Sequence, residues 1–210
     1  LINKKYKFKI KKFSYPEYSY YDLEMKPVGY LESYDDKVLI VSGMGEITYF
    51  NTDELNTNEI NVKKINSNLE KIILDPFFYI PSRSSIKDIY ILEDHIYLSY
   101  TKLNMNKCYN LEVLRAKVNF AKLNFKKYFS FDQCIYNNTY LNNHSSGGRI
   151  TNFNGDLILS IGEFQHRNLA QNLNNNFGKI ILLSKNSKES KILSYGHRNV
   201  QGLKYLSDKN

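Results

Sequence analysis

Four histidines, His95, His144, His166 and His197, are the side chains of this sequence that exchange a proton near neutrality, so each can act as a general base, a ligand or an ordinary polar group. Their surroundings separate them. His144 lies in a polar stretch, Tyr136 to Gly148, and is followed by Ser145-Ser146-Gly147-Gly148-Arg149. Paired glycines let a ligand or a neighbouring backbone approach without a side-chain clash. A second cluster, Gly196-His197-Arg198-Asn199 with Gln201-Gly202 behind it, concentrates a cation, an amide and pliant backbone in one turn between apolar strands. A guanidinium donates in a planar fork, and an amide both donates and accepts, so this turn suits an anionic, oxygen-rich ligand. The same spacing equally allows Arg198 and Asn199 to satisfy backbone carbonyls at a strand corner. His95 sits at a turn leading into Ile96-Tyr97-Leu98 with no other titratable motif beside it, and is expected to be an exposed structural residue; His166 is intermediate.

Cys108 and Cys134 have neither CxxC spacing nor a matched histidine pair, so thiolate metal binding is not expected and no metal ligand is assigned. They are expected to be two half-buried thiols, with a disulfide as the alternative that an oxidising compartment would favour.

Short β-branched and aromatic runs, each closed by Asn, Asp, Gly or Ser, must position these residues. The clearest strands are 37–42, 46–50, 88–92, 95–100, 111–118, 156–160 and 179–184, and helical periodicity is hard to find. Residues 29–50, 88–118 and 151–184 resemble successive versions of one antiparallel sheet. The phrases Asp35-Asp36-Lys37-Val38, Glu93-Asp94-His95-Ile96 and Asn154-Gly155-Asp156-Leu157 open equivalent strands. Repetition of this kind favours the blades of a propeller, and continuous apolar runs such as Val38-Leu39-Ile40-Val41 suit strands buried on both faces. Residues 51–71, rich in Asn, read as a loop or blade connection.

The net charge of +8 is spread along the chain except for Lys4, Lys5, Lys7, Lys9, Lys11 and Lys12, which read as a solvated basic leader or linker over residues 1–28, with the propeller domain at 29–210. Neither a helix-turn-helix pattern nor an RNA-binding aromatic signature accompanies that charge, so a nucleic-acid partner is not expected. No run of about 18 apolar residues offers a membrane-spanning helix. A composition of 42% hydrophobic residues, with 18 Tyr and 12 Phe, describes a chain that folds.

In order and spacing, five segments resemble the glucose/sorbosone dehydrogenase family: Asn143-His144-Ser145-Ser146-Gly147-Gly148-Arg149-Ile150, then 155–162, then Ala170-Gln171-Asn172-Leu173-Asn174 and Gly178-Lys179-Ile180, and last Ser194-Tyr195-Gly196-His197-Arg198-Asn199-Val200-Gln201-Gly202-Leu203. The last is the most specific. The resemblance is good over 88–210 and plausible over 29–50. It implies an all-β, six-bladed propeller of antiparallel blades, of which this chain covers roughly the first half. It also implies pyrroloquinoline quinone at one axial end, and calcium with ligands expected beyond Asn210. By position, His144 inherits the role of general base on the anomeric hydroxyl of an aldose or related sugar, with hydride transfer to the quinone. Arg198 and Asn199 inherit cofactor contacts and Asn143 a substrate contact. A periplasmic or secreted location and an external electron acceptor follow from the same likeness.

Val200 stands in place of the family's usual proline and Glu163 where aspartate is common. Segments that supply calcium ligands and further cofactor contacts in relatives are not among these residues, so the visible chain is not expected to be an active enzyme by itself. Its unpaired sheet edges are expected to make it aggregate. A non-catalytic propeller that binds carbohydrate or a protein partner is the alternative reading.

Overall fold

The computed structural model describes residues 10–13, 29–76, 78, 84–136, 144–185 and 189–206. Three antiparallel sheets follow one another along the chain. The first holds β1 (Gly29–Tyr34), β2 (Lys37–Ser42), β3 (Ile47–Asn51) and β4 (Lys63–Ser67); the second begins with β5 (Ile86–Leu92), β6 (His95–Leu103) and β7 (Cys108–Lys117). After β7 the chain sends β8 (Lys122–Leu123) back to pair in parallel with β4, then returns with β9 (Lys126–Ser130) and β10 (Ile135–Tyr136) to the free edge of β7. The third sheet runs in simple order through β11 (Gly147–Phe153), β12 (Asp156–Ile161), β13 (Lys179–Leu183) and β14 (Ser190–Tyr195).

Local chemistry sets this meander. The turn before the second strand of each sheet carries a residue in the left-handed region, Asp35 (φ 52°), Glu93 (55°) and Asn154 (51°), where Asp and Asn are tolerated and a tight hairpin requires it. The three repeated phrases therefore do occupy equivalent places, opening β2, β6 and β12. The first strands, β1, β5 and β11, lie side by side, and the sheets stack through two apolar layers. Leu39, Val41 and Ile47 of the first sheet meet Ile89, Leu98 and Leu114 of the second. Tyr97, Leu111 and Val113 of the second meet Leu157, Leu159 and Ile181 of the third. The middle sheet is thus buried on both faces, and β7 is buried along nearly its whole length. Each such Leu or Ile contributes about 1.5–3 kcal/mol of burial. These are three successive blades of a β-propeller, as the repetition predicted.

Two expectations are corrected. Cys108 and Cys134 form a disulfide with Cα atoms 5.5 Å apart. Pairing of β10 with β7 (Tyr136 opposite Cys108, Ile135 opposite Tyr109) brings Cys134 alongside, a contact between strands distant in sequence that spacing could not disclose. Residues 51–71 are not a plain loop: they hold a 3-10 turn at Thr52–Asn56 and β4, whose residues are polar because an outermost strand buries only one of them, Ile65. Of the basic N-terminal segment, Lys11 donates to the carbonyls of Leu55 and Thr57 on blade 1; Lys4, Lys5, Lys7 and Lys9 lie outside the described residues. Among the described residues no helix is long and apolar enough to cross a membrane.

Candidate functional site

The strand ends that carry the two chemical clusters converge at one end of blade 3. β11 starts three residues after His144, and its pairing with β12 places Gly147 opposite Ile161, the last residue of β12. β13 starts and β14 ends at the same level, with Lys179 opposite Tyr195. Three connecting segments, the one entering β11, the one from β12 to β13 and the one leaving β14, therefore meet above one sheet, and their backbones satisfy one another: Gly162 N donates to Ser146 O (2.7 Å), Phe164 N to Ser145 O (3.1 Å), Glu163 N to Arg198 O (3.0 Å), Gly178 N to Gly162 O (3.0 Å) and His197 N to Gly178 O (3.0 Å). Gly162 is required there by space, since a Cβ would lie 1.7 Å from the carbonyl oxygen of Ser145.

A buried cation closes the junction from below. Lys179 is fully buried, and its Nζ donates to the carbonyls of Leu169 (3.0 Å), Ala170 (3.0 Å) and Phe177 (2.6 Å), fixing the short α1 (Arg167–Ala170) and the segment after it. Burial pushes its pKa below the ordinary lysine value.

The two motifs singled out in the sequence meet. The Asn199 side-chain oxygen accepts from Gly147 N (3.0 Å) and from the Gln201 side-chain amide (2.7 Å). It thereby joins the Arg198-Asn199 turn to the loop that carries His144. Arg198 keeps its side chain 67% exposed, with Nε 3.5 Å from a carboxylate oxygen of Glu163, itself 3% exposed. His144 is half-buried at the start of the loop, followed by Ser145 (φ 56°), Gly147 (68°) and Gly148 (102°) in the left-handed region. Asn143 lies outside the described residues. His197 places Nε2 2.8 Å from the Ser194 hydroxyl, and His95 pairs with Asp94 at its turn (2.6 Å).

The sequence reading missed a charged group on the inner strands. Asp88 of β5 receives Ile150 N (2.8 Å) and an Arg149 guanidinium nitrogen (3.3 Å), and the same guanidinium lies over the Tyr30 ring of β1, 4.8 Å from its centroid. Burial raises the Asp88 pKa, opposed by those two donors. Burial, then the Asp88 charge, raises that of Glu32 on β1. Burial and the Arg149 charge push the Lys87 ammonium down to about 7. The available signal was two charged residues, Lys87-Asp88, heading an otherwise apolar strand.

On blade 2, Tyr100 OH (2.7 Å) and Lys102 Nζ (2.6 Å) both donate to buried Glu112. Tyr100 and Lys102 line a cavity of about 500 Å³ with the Cys108–Cys134 bridge. Among the described residues no group of three His, Cys, Asp or Glu side chains could hold a metal ion.

Residues 26–210 match the family model described as Glucose / Sorbosone dehydrogenase. A crystal structure of glucose dehydrogenase is 18% identical, with a TM-score of 0.60, over 81% of this chain and 52% of that one. The apo form of the soluble aldose sugar dehydrogenase from Escherichia coli is 18% identical (TM-score 0.53; 82% of this chain, 51% of that one). The PQQ-bound aldose sugar dehydrogenase from Streptomyces coelicolor is 16% identical (TM-score 0.56; 82% and 50%). At this identity the likeness is one of fold, and the chain spans about half the length of these structures. No curated protein sequence matches it.

Proposed function

The chain belongs to the glucose/sorbosone dehydrogenase family, and from that premise we propose that it supplies the base and part of the cofactor cradle of a pyrroloquinoline quinone-dependent sugar dehydrogenase. The observation that supports this most is the bond from Gly147 N to Asn199, because it holds the cofactor-side turn against the loop bearing the base. The donor set fits the quinone, a polycarboxylate, through the exposed guanidinium of Arg198, which the junction holds beside the loop that bears His144.

When bound, the quinone supplies a two-electron oxidant that accepts hydride from the anomeric carbon of an aldose. His144 would take the proton of the anomeric hydroxyl as that C–H bond breaks, so that the sugar would leave as its lactone, with an external electron acceptor as the partner in turnover. An imidazole is suited to this step at neutral pH. Arg198 would hold a carboxylate of the quinone with Asn199 beside it on the same turn, and Asn143 is proposed as a substrate contact. For calcium, which the family likeness implies, no group of three His, Cys, Asp or Glu side chains stands ready among the described residues. The disulfide supports an exported, oxidising location.

Titrating pyrroloquinoline quinone into the full-length protein, with calcium present, tests the reading. Saturable binding with sugar-dependent dye reduction is expected, and Arg198→Ala should weaken binding at least tenfold. Absence of quinone binding by the wild type would leave a propeller that binds carbohydrate or protein without turnover.

A further inference from the structure

Blades 2 and 3 are locked together beside the His144 loop by two facing irregularities. The β5–β6 register shifts between Ile86 and Asp88, which makes Lys87 the extra residue of a bulge. The β11–β12 register shifts between Gly147 and Ile150, which leaves Gly148 and Arg149 outside regular pairing. A bulge re-aims side chains and bends its strand. Here the two fit together, since a Cβ at Gly148 would lie 2.3 Å from Lys87 Cβ. Side chains then hold the start of β11 where its regular pairing with β12 is interrupted. Ser99, opposite Asp88 on β6, donates its hydroxyl to Gly148 O, and Arg149 N donates to the Ser160 hydroxyl (2.9 Å). The Asp88 carboxylate takes Ile150 N on one oxygen (2.8 Å) and the Arg149 guanidinium on the other (3.3 Å).

We infer that Asp88 is a positioning residue for the His144 loop: by clamping Arg149 and Ile150 across the blade seam, it sets where residues 144–148 leave β11. The inference rests on the reading of His144 as the base. Its partners are half-buried, with 15% of the Asp88 side chain and 22% of that of Arg149 exposed, so the pair is little screened by solvent. The Tyr30 ring under the same guanidinium limits where Arg149 can go if the carboxylate is removed. Asp88 touches no reacting atom, and its effect travels through four residues of backbone between Ile150 and Ser145.

The test uses full-length protein carrying Asp88→Asn, which keeps the shape and one oxygen acceptor but turns a donor toward Arg149, and Arg149→Lys, which keeps the charge without the fork. Amide hydrogen exchange of the 144–150 segment and the steady-state constants for aldose oxidation are both measured. Exchange at 144–150 should rise at least tenfold in each variant while β2 and β3 keep wild-type protection. kcat should fall about tenfold with little change in KM or in quinone affinity. Unchanged exchange, a uniform rise across all three blades, or a local rise with wild-type kcat would each overturn the positioning role. A wild type that oxidises no sugar would instead overturn the dehydrogenase reading, and the exchange arm would still decide whether Asp88 holds the loop.

Discussion

Lys87 shows how one residue at the blade seam links site geometry to stability. In the unfolded chain it keeps its proton to about pH 10.5, whereas folded it releases it near 7, because burial and the Arg149 charge disfavour the ammonium. Between these values the unfolded chain binds more protons, so stability should rise with pH from about 7 toward 10. Lys87→Met keeps the stem and removes the charge. It should therefore raise resistance to urea most at about pH 6–7, and the gain should fade by about pH 10; a gain that grows with pH would contradict this assignment. Residues of this kind were the least legible. His144, Gly147-Gly148 and Arg198-Asn199 stood out because glycine and polar atoms are concentrated there. Asp88 looked like an ordinary strand start, since its partner Arg149 is 61 residues away and meets it only once two bulges have formed.

At the level of elements, hairpins were legible because their turns carry the chemistry: Asp35, Glu93 and Asn154 adopt the left-handed conformation that closes each pair. Connections between blades were not. Lys63–Ser67 lacks an apolar pattern because it sits on an outer edge, where β8 joins it and Asn68 replaces a ladder rung, exchanging bonds of 3.0 and 2.7 Å with the backbone of Phe125. The disulfide is the covalent version of such an edge link. It closes 26 residues between β7 and β10, so Cys134→Ser should lower stability by about 2–4 kcal/mol. Chemical denaturation of the oxidised wild type and the variant measures this, and a difference near zero would mean that β9 and β10 already hold that edge without it.

At the largest scale, the described residues form three blades whose first strands adjoin and whose loops gather both chemical clusters at one end. Blade identity was readable from repetition, because each sheet solves the same packing problem with the same strand–turn order. The assignment of His144, Arg198 and Asn199 to one site came from order and spacing within a known family, whereas the bonds that weld Ser145–Gly147 to the Arg198-Asn199 turn depend on three connecting segments that only the fold brings together. Leu31 on blade 1, and Leu193 and Tyr195 on blade 3, keep large apolar surface exposed. The most direct measurement is sugar-dependent dye reduction by full-length protein loaded with pyrroloquinoline quinone, in wild type and His144→Ala, with quinone affinity determined on the same samples. Loss of a general base should lower kcat by about 10²–10⁴-fold at unchanged quinone affinity; a His144→Ala protein that turns over sugar at the wild-type rate would contradict the account.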